Sequence, residues 1–441
     1  MSDSLLTRLE VLKRAWPLVF ANATVPLAGV ADTAVISRTG STAEIAGVGL
    51  GALLLSVLHG SFYFLRMGTT GLTAQARGAE DRTEAQRVML RSIGLAFLFG
   101  AAALILREPL ARLGLTLFPG DAATEAVGGP YFLIRMFGLT GALIAFAATG
   151  WLIGMGRSIS TLAVYVLFSV VNITLDIIFV MHLGWGPQGV AWATVIAEWT
   201  CALAALFIVW RAVATTGGWE DGARDRRRLL DPGAMRRLIS INLNLMVRTW
   251  TLTIGFFWFG AAGAREGDVF YAGNVILLQV VTVWAFVLDA FAFVAETESG
   301  RAVGRRSLPV LRRAARLSGE AMLLSGVGFA ALTLVAGPPV LTFVVQAPEA
   351  RDAALAFLPY CAVVPLVGAA AWLLDGLFIG ATSGAILRNA GIASLGLYLV
   401  ADLMLEPFAE HGVWIAFLIF YLARAAALAA AWPALERRIA P

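Results

Sequence analysis

Mostly apolar runs of 18 or more residues recur twelve times along the chain, at roughly 14–38, 44–76, 88–107, 122–154, 157–182, 187–211, 233–263, 269–300, 312–336, 353–381, 384–406 and 411–435. Each is long enough to cross the apolar core of a bilayer as an α-helix. The longest polar stretch, TTGGWEDGARDRRRLLDPG from Thr215 to Gly233, divides the chain almost in half. The pattern predicts an all-α polytopic membrane protein of twelve transmembrane helices. Its organisation would be an N-terminal lobe at 1–214, a cytoplasmic linker at 215–232 and a C-terminal lobe at 233–441.

Sliding the sequence on itself by 226 residues exposes an internal repeat. Ala46 and Gly47 fall on Ala272 and Gly273, Gly78 on Gly304, Gly150 on Gly376, Gly154 on Gly380 and Asp176 on Asp402. After a three-residue contraction, Gly189-Val190 meets Gly412-Val413. Two six-helix lobes of the same topology, related by a pseudo-twofold axis along the membrane normal, would give this pattern, an arrangement common in secondary transporters. The lobes differ at informative places: Asp32 meets Trp258, Pro26 meets Leu252 and Asn172 meets Tyr398.

Composition agrees, with 59% hydrophobic and 14% charged residues in 441. No soluble domain stands out, and the net charge of +4 does not point to nucleic acid. Position of charge matters more than its total. Taking alternate loops, 24 of the basic residues fall on one side and Arg38, Arg107, Arg112, Arg265 and Arg351 on the other, so the basic side is expected to be cytoplasmic, with both termini. The first segment, MSDSLLTRLEVLKR, lacks the short apolar core and small-residue cleavage site of a signal peptide, so the first span is expected to be retained. Cys201 and Cys361 lie in apolar runs of opposite halves and read as small core residues, with no disulfide and no metal site.

The polar groups inside the spans carry the candidate chemistry. Span one, WPLVFANATVPLAGVADTAVISR, holds Asp32 with no basic residue before Arg38. An ionised Asp near the middle of a membrane helix costs about 2.5–3.5 kcal/mol on insertion scales, so it is expected to face a protein interior or a wet cavity. Pro26, six residues earlier, has no N–H for the Asn22 carbonyl and marks a place to bend, a conformational hinge. In span five, Asn172 and Asp176 are four apart and share a helix face. Asp32 lies six residues before Arg38, Asp176 six before His182 and Thr194 seven after Pro187, which puts all three at one depth in the outer part of the membrane. Glu198, one turn from Thr194, extends the set inward. A purely structural hydrogen-bond cluster would use the same residues. In the second half Asp402 lies deep enough to matter but lacks the Asn and the facing Asp. Asp289, Glu296, Glu298 and Asp375 fall nearer the cytoplasmic ends, where Arg301 and Arg388 are expected to pair with them. Arg66, Arg135, Arg248 and Arg424 are expected to snorkel or find a carboxylate. His59 has no Cys or His at ligand spacing and reads as a core or pore histidine rather than a metal ligand.

PLAGVADTAVISRTGS, FLRMGTTGLTAQARGAEDR, GVAWATVIAE and DGLFIGATSGAILRN together resemble the signatures of the multidrug and toxic compound extrusion (MATE) family, DinF-type branch, across the whole chain. The resemblance implies an inner-membrane antiporter exporting bulky amphipathic, often cationic compounds against protons or sodium. It implies that Asp32 is the coupling carboxylate of the first helix, that Asn172 and Asp176 are the Asn-xxx-Asp pair of the fifth, and that Thr194 is the hydroxyl of the sixth. Ala290 stands where the branch often has glycine after Asp289. The branch favours protons over sodium as coupling ion, and no cofactor is expected. The expected partners are small amphipathic organic substrates and membrane lipid, with no nucleic acid, and the protein is expected to act as a monomer.

A sodium-coupled antiporter of the same family, or a lipid or glycolipid flippase of the same superfamily, are the alternatives. A flippase is expected to line its cavity with arginines for phosphate, and in-span arginines are few here. An enzyme is not expected, because His59, His182 and His411 are the only histidines and none sits in a recognisable motif.

Overall fold

The structure is a computed structural model that describes residues 6–439, apart from the side chain of Val25. Its helices in order are α1 (Arg8–Thr39), α2 (Thr42–Phe62), α3 (Phe64–Gly78), α4 (Arg82–Ile105), α5 (Arg107–Leu117), α6 (Ala122–Gly154), α7 (Ser158–Asp176), α8 (Gly186–Thr215), the single turn α9 (Arg226–Leu229), α10 (Pro232–Arg265), α11 (Asp268–Gly304), α12 (Leu308–Val344), α13 (Pro348–Gly380), α14 (Gly384–Met404), α15 (Ala409–Ala430) and α16 (Trp432–Ile439). Local chemistry sets several of the starts. Ser41 and Glu44 cap α2 reciprocally, Ser41 N–H donating to Glu44 Oε2 at 2.7 Å and Glu44 N–H to Ser41 Oγ at 3.3 Å. Asp121 caps α6 by accepting from the Thr124 N–H at 2.7 Å, and that bond holds its exposed carboxyl below the usual carboxylate range.

Among the described residues eleven spans are long and apolar enough to cross a membrane. The twelfth long helix, α10, is 34 residues, but Arg236, Arg237, Asn242, Asn244 and Arg248 interrupt its apolar run. Some boundaries move. The first helix starts at Arg8 and not near residue 14, and the ninth spanning helix runs on to Val344. The second predicted span is two helices meeting at Tyr63, and the fifth ends in a π-helical turn, Ile177–His182, directly after Asp176.

The chain folds into two compact units. One is Phe20–Leu238, and the other combines Met1–Val19 with Ile239–Pro441. In the first unit the segment after α8 is held against α4: Gln86 donates to the Gly218 carbonyl, Arg87 to Gly222, and Arg91 to both Arg228 and Leu229. In the second, Val11 and Ala15 of α1 pack with Leu288, Phe291, Leu317 and Met322, and Arg14 pairs with the buried Glu298.

The repeat is visible in the packing. A Cβ on Gly150 would stand 2.5 Å from the Arg66 carbonyl oxygen, and one on Gly376 2.5 Å from that of Ala292. Arg66 and Ala292 are themselves 226 residues apart. Gly154 against the Thr70 carbonyl and Gly380 against that of Glu296 repeat the relation one turn on. Only a residue without a side chain permits such an approach of two helix backbones.

Candidate functional site

Four helices of the first unit converge on a polar cluster. From α7 come Asn172 and Asp176, both with no exposure, and from α8 Thr194 and Glu198, both buried. Helix α1 supplies the half-buried Asp32, and α6 supplies the buried Tyr131 and Arg135. Asn172 Nδ2 donates to Thr194 Oγ1 at 3.1 Å, and that hydroxyl donates to the Val190 carbonyl at 3.0 Å. The hydroxyl is thus held in one orientation. The Asp32 carboxyl lies near Asn172 and Asp176, close enough for each to act on its charge. As plain carboxylates, Asp32 and Asp176 have no donor between them. Asp32 Oδ1 and both Asp176 oxygens are buried without a hydrogen bond among the described residues.

Beside this pair runs a second one. Arg135 Nη2 donates to Glu198 Oε1 at 2.8 Å and Arg135 Nη1 to the Tyr131 hydroxyl at 3.1 Å. His59 Nε2, from α2, stands 3.6 Å from the same Glu198 oxygen. Gly138 and Gly141 of α6 leave the room that the Glu198 side chain and backbone occupy. Ser169 Oγ donates to the Thr24 carbonyl at 2.9 Å and so ties α7 to α1 two residues before Pro26. Pro26 itself lies within the unbroken helix Arg8–Thr39.

In sequence, the chain matches the MatE family model over residues 17–178. It is 34% identical over 422 residues to the DNA damage-inducible protein F of Escherichia coli K12, covering 95% of this chain and 90% of that one. The chain belongs to the MATE family. It is also 26% identical to a probable multidrug resistance protein NorM of Pseudomonas putida, over 84% of this chain and 80% of that one. In fold it matches a solved outward-facing multidrug resistance MATE transporter of the MOP superfamily with a TM-score of 0.85, at 18% identity and over 98% of this chain and 96% of that one.

Within this transporter the sequence-predicted residues Asp32, Asn172, Asp176 and Thr194 are brought together, and Glu198 adjoins them through Arg135. Asp402 lies in the other unit, where Arg265 and Trp258 donate to its Oδ2 at 2.5 and 2.9 Å. Of the pairings expected among the other carboxylates of that half, Arg301 with Glu298 is present and Arg388 departs. Asp375 takes Arg248 and Arg424, each at 2.5 Å, while Glu298 takes Arg14 and Arg301. Arg388 bonds Asn244 and Asn389 instead, because the start of α14 carries it to the amide side chains and away from the carboxylates.

The sequence placed Glu198 with the set and expected Arg135 to snorkel or find a carboxylate, but did not join them to each other or to His59. The only signal for that pairing was one arginine and one glutamate, each alone in an apolar run and 63 residues apart. Burial of a lone charge calls for a partner, but spacing does not say which.

Proposed function

We propose that the protein is a secondary active antiporter that exports bulky amphipathic, often cationic compounds in exchange for protons, with Asp32 and Asp176 as the coupling carboxylates. The observation that carries this reading is the gathering of two carboxyls in one cluster, with Asp32 Oδ1 and both Asp176 oxygens buried without a hydrogen bond beside the Asn172–Thr194 pair. Two negative charges side by side in an apolar surrounding repel strongly, so one proton is held between them while the site is closed to water. Opening the site to water, or bringing in a cationic substrate, offsets that repulsion and releases the proton. The groups facing the pair are Asn172, Thr194, Tyr131 and the Arg135–Glu198–His59 set. Arg135 is already neutralised by Glu198, which leaves the coupling pair to respond to proton or substrate.

Pro26 supplies the movement. Without its N–H the helix gives one fewer backbone bond at that point, so the segment carrying Asp32 tilts at small cost when the pair becomes neutral, narrowing the space a bulky substrate fills. Similarity to a multidrug resistance protein supports the substrate class, and the 24-to-5 split of loop basics supports an inner-membrane orientation with both termini cytoplasmic.

Inverted membrane vesicles test the coupling. An imposed gradient, acid inside, is expected to drive uptake of a lipophilic cation such as ethidium with no sodium present. Uptake driven by an inward-high sodium gradient at equal pH, and not by the pH gradient, would exclude proton coupling.

A further inference from the structure

The repeat lets the polar cluster be compared position by position with its counterpart in the second unit. Asp32 corresponds to Trp258, Tyr131 to Phe357, Arg135 to Cys361 and Asn172 to Tyr398 at the shift of 226, and Thr194 to Phe417 and Glu198 to Tyr421 after the three-residue contraction. All six replacements sit in or against one hydrophobic cluster. What is a charged and hydrogen-bonded centre in one half is an aromatic core in the other. One charge survives the exchange: Asp176 has Asp402 as its mate, 4% exposed.

A carboxylate left among aromatic side chains requires a counter-charge. Arg265 provides it from the last residue of α10. Its guanidinium donates to Asp402 Oδ2 at 2.5 Å and lies 5.5 Å from the centroid of the Trp258 ring, while the Trp258 indole N–H donates to the same carboxylate oxygen at 2.9 Å. Beside them the fully buried Tyr398 hydroxyl has no hydrogen-bond partner among the described residues.

The position of the guanidinium is that of a bound organic cation, with a carboxylate on one side and an aromatic face on the other, the two features that recognise quaternary and planar cations. Its attachment allows it to leave. The Arg265 side chain is half exposed, the residue ends its helix, and Gly267 two positions on has φ of +115°, a conformation open to glycine and strained for other residues. The buried end of the pair is fixed and the exposed end is a long flexible chain.

We propose that Asp402, Trp258 and Tyr398 form a second cation-binding site, for a planar or quaternary organic cation, which the protein occupies with its own Arg265 until a ligand displaces it. The site shares the substrate class of the proposed export and does not depend on how that export is coupled. A tethered competitor lowers apparent affinity by the fraction of time it leaves the site open, so removing its charge strengthens binding by about tenfold if the arginine is in place nine-tenths of the time.

The test is equilibrium binding of ethidium to the purified full-length protein in detergent, read by fluorescence anisotropy. Arg265→Gln is expected to bind about tenfold more tightly than wild type, Arg265→Lys to stay near wild type, and Arg265→Gln combined with Asp402→Asn to lose the gain. A second route avoids reliance on one substitution. Arg265→Cys is modified with a trimethylammonium-bearing or a neutral methanethiosulfonate, the native Cys201 and Cys361 being buried. The cationic adduct is expected to bind ethidium weakly and the neutral adduct tightly. Binding by Arg265→Gln no tighter than by wild type, or equal affinity of the two adducts, would overturn the second site, whether or not wild type exports the dye. Failure of the vesicle experiment with these affinity differences intact would overturn the coupling and leave the site standing.

Discussion

At the scale of single residues, Asp176 and Asp402 occupy the same place in the repeat and have opposite surroundings. Asp176 faces another carboxyl with no donor between them. Asp402 faces a guanidinium and an indole N–H. Asp176→Asn is therefore expected to abolish coupled export, while Asp402→Asn leaves a substantial fraction, both measured as dye efflux at equal membrane abundance. Equal loss in the two would move part of the coupling into the second half. The Arg135–Glu198 pair is buried on both sides, so removing one partner leaves the other charge stranded. Glu198→Ala is expected to lower stability by about 3–5 kcal/mol, and Arg135→Met with Glu198→Met to recover most of it. Thermal unfolding in detergent checks this, and a double variant as unstable as the single one would show that the pair does more than neutralise itself. Asp32, Asn172, Asp176 and Thr194 were legible in the sequence because helical spacing and counting from the span ends give face and depth. The pairing of Arg135 with Glu198, and of Arg265 with Asp402, was not legible, because helix rotation and side-chain reach decide it.

At the scale of elements, the apolar runs located the spanning helices with ends off by as much as eight residues, at α12, and left out the short α5, while the breaks inside spans have physical causes. The α2–α3 break at Tyr63 and the π turn after Asp176 occur inside uniformly apolar stretches, where hydropathy carries no mark of a change in winding. The π turn follows directly on a residue of the site, as such turns often do. Helix α1 is the element on which the proposed cycle turns. Its first part packs in the unit that contains Leu288 and Leu317, its later part carries Asp32, and Pro26 lies between. If neutralising the carboxyl pair tilts the later part, then acidification changes the distance between labels on Ser37 of α1 and Gln188 of α8, both exposed. Asp32→Asn, which resembles the protonated state, is expected to abolish that response and to weaken substrate binding. A double electron–electron resonance distance that shifts with pH equally in wild type and variant would place the proton switch elsewhere, with Asp176 or Glu198 the next to examine.

At the scale of the whole molecule, the repeat explains why so much of the fold could be read from one sequence. Glycines that admit a helix backbone, as at Gly150 and Gly376, recur at a fixed interval because the same close approach is made twice. What differs between the halves is chemistry laid on that shared frame: the repeated glycines mark packing, while the repeated Asp176 and Asp402 differ in proposed function because their neighbours differ. Orientation follows from another global property. Translocating a loop rich in arginine is opposed, and the segment between α8 and α10 holds Arg224, Arg226, Arg227 and Arg228. The same segment is fastened to α4 through its carbonyls, so its side and that of the start of α4 must be the same, and Arg82, Arg87 and Arg91 add to the basic count there. A cysteine placed at Asp221, which is exposed and free of the positive φ found at Gly217 and Gly218, is expected to resist an impermeant thiol reagent added to intact cells and to react in inverted vesicles. Labelling from outside intact cells would reverse the orientation, and with it the direction of the proposed export.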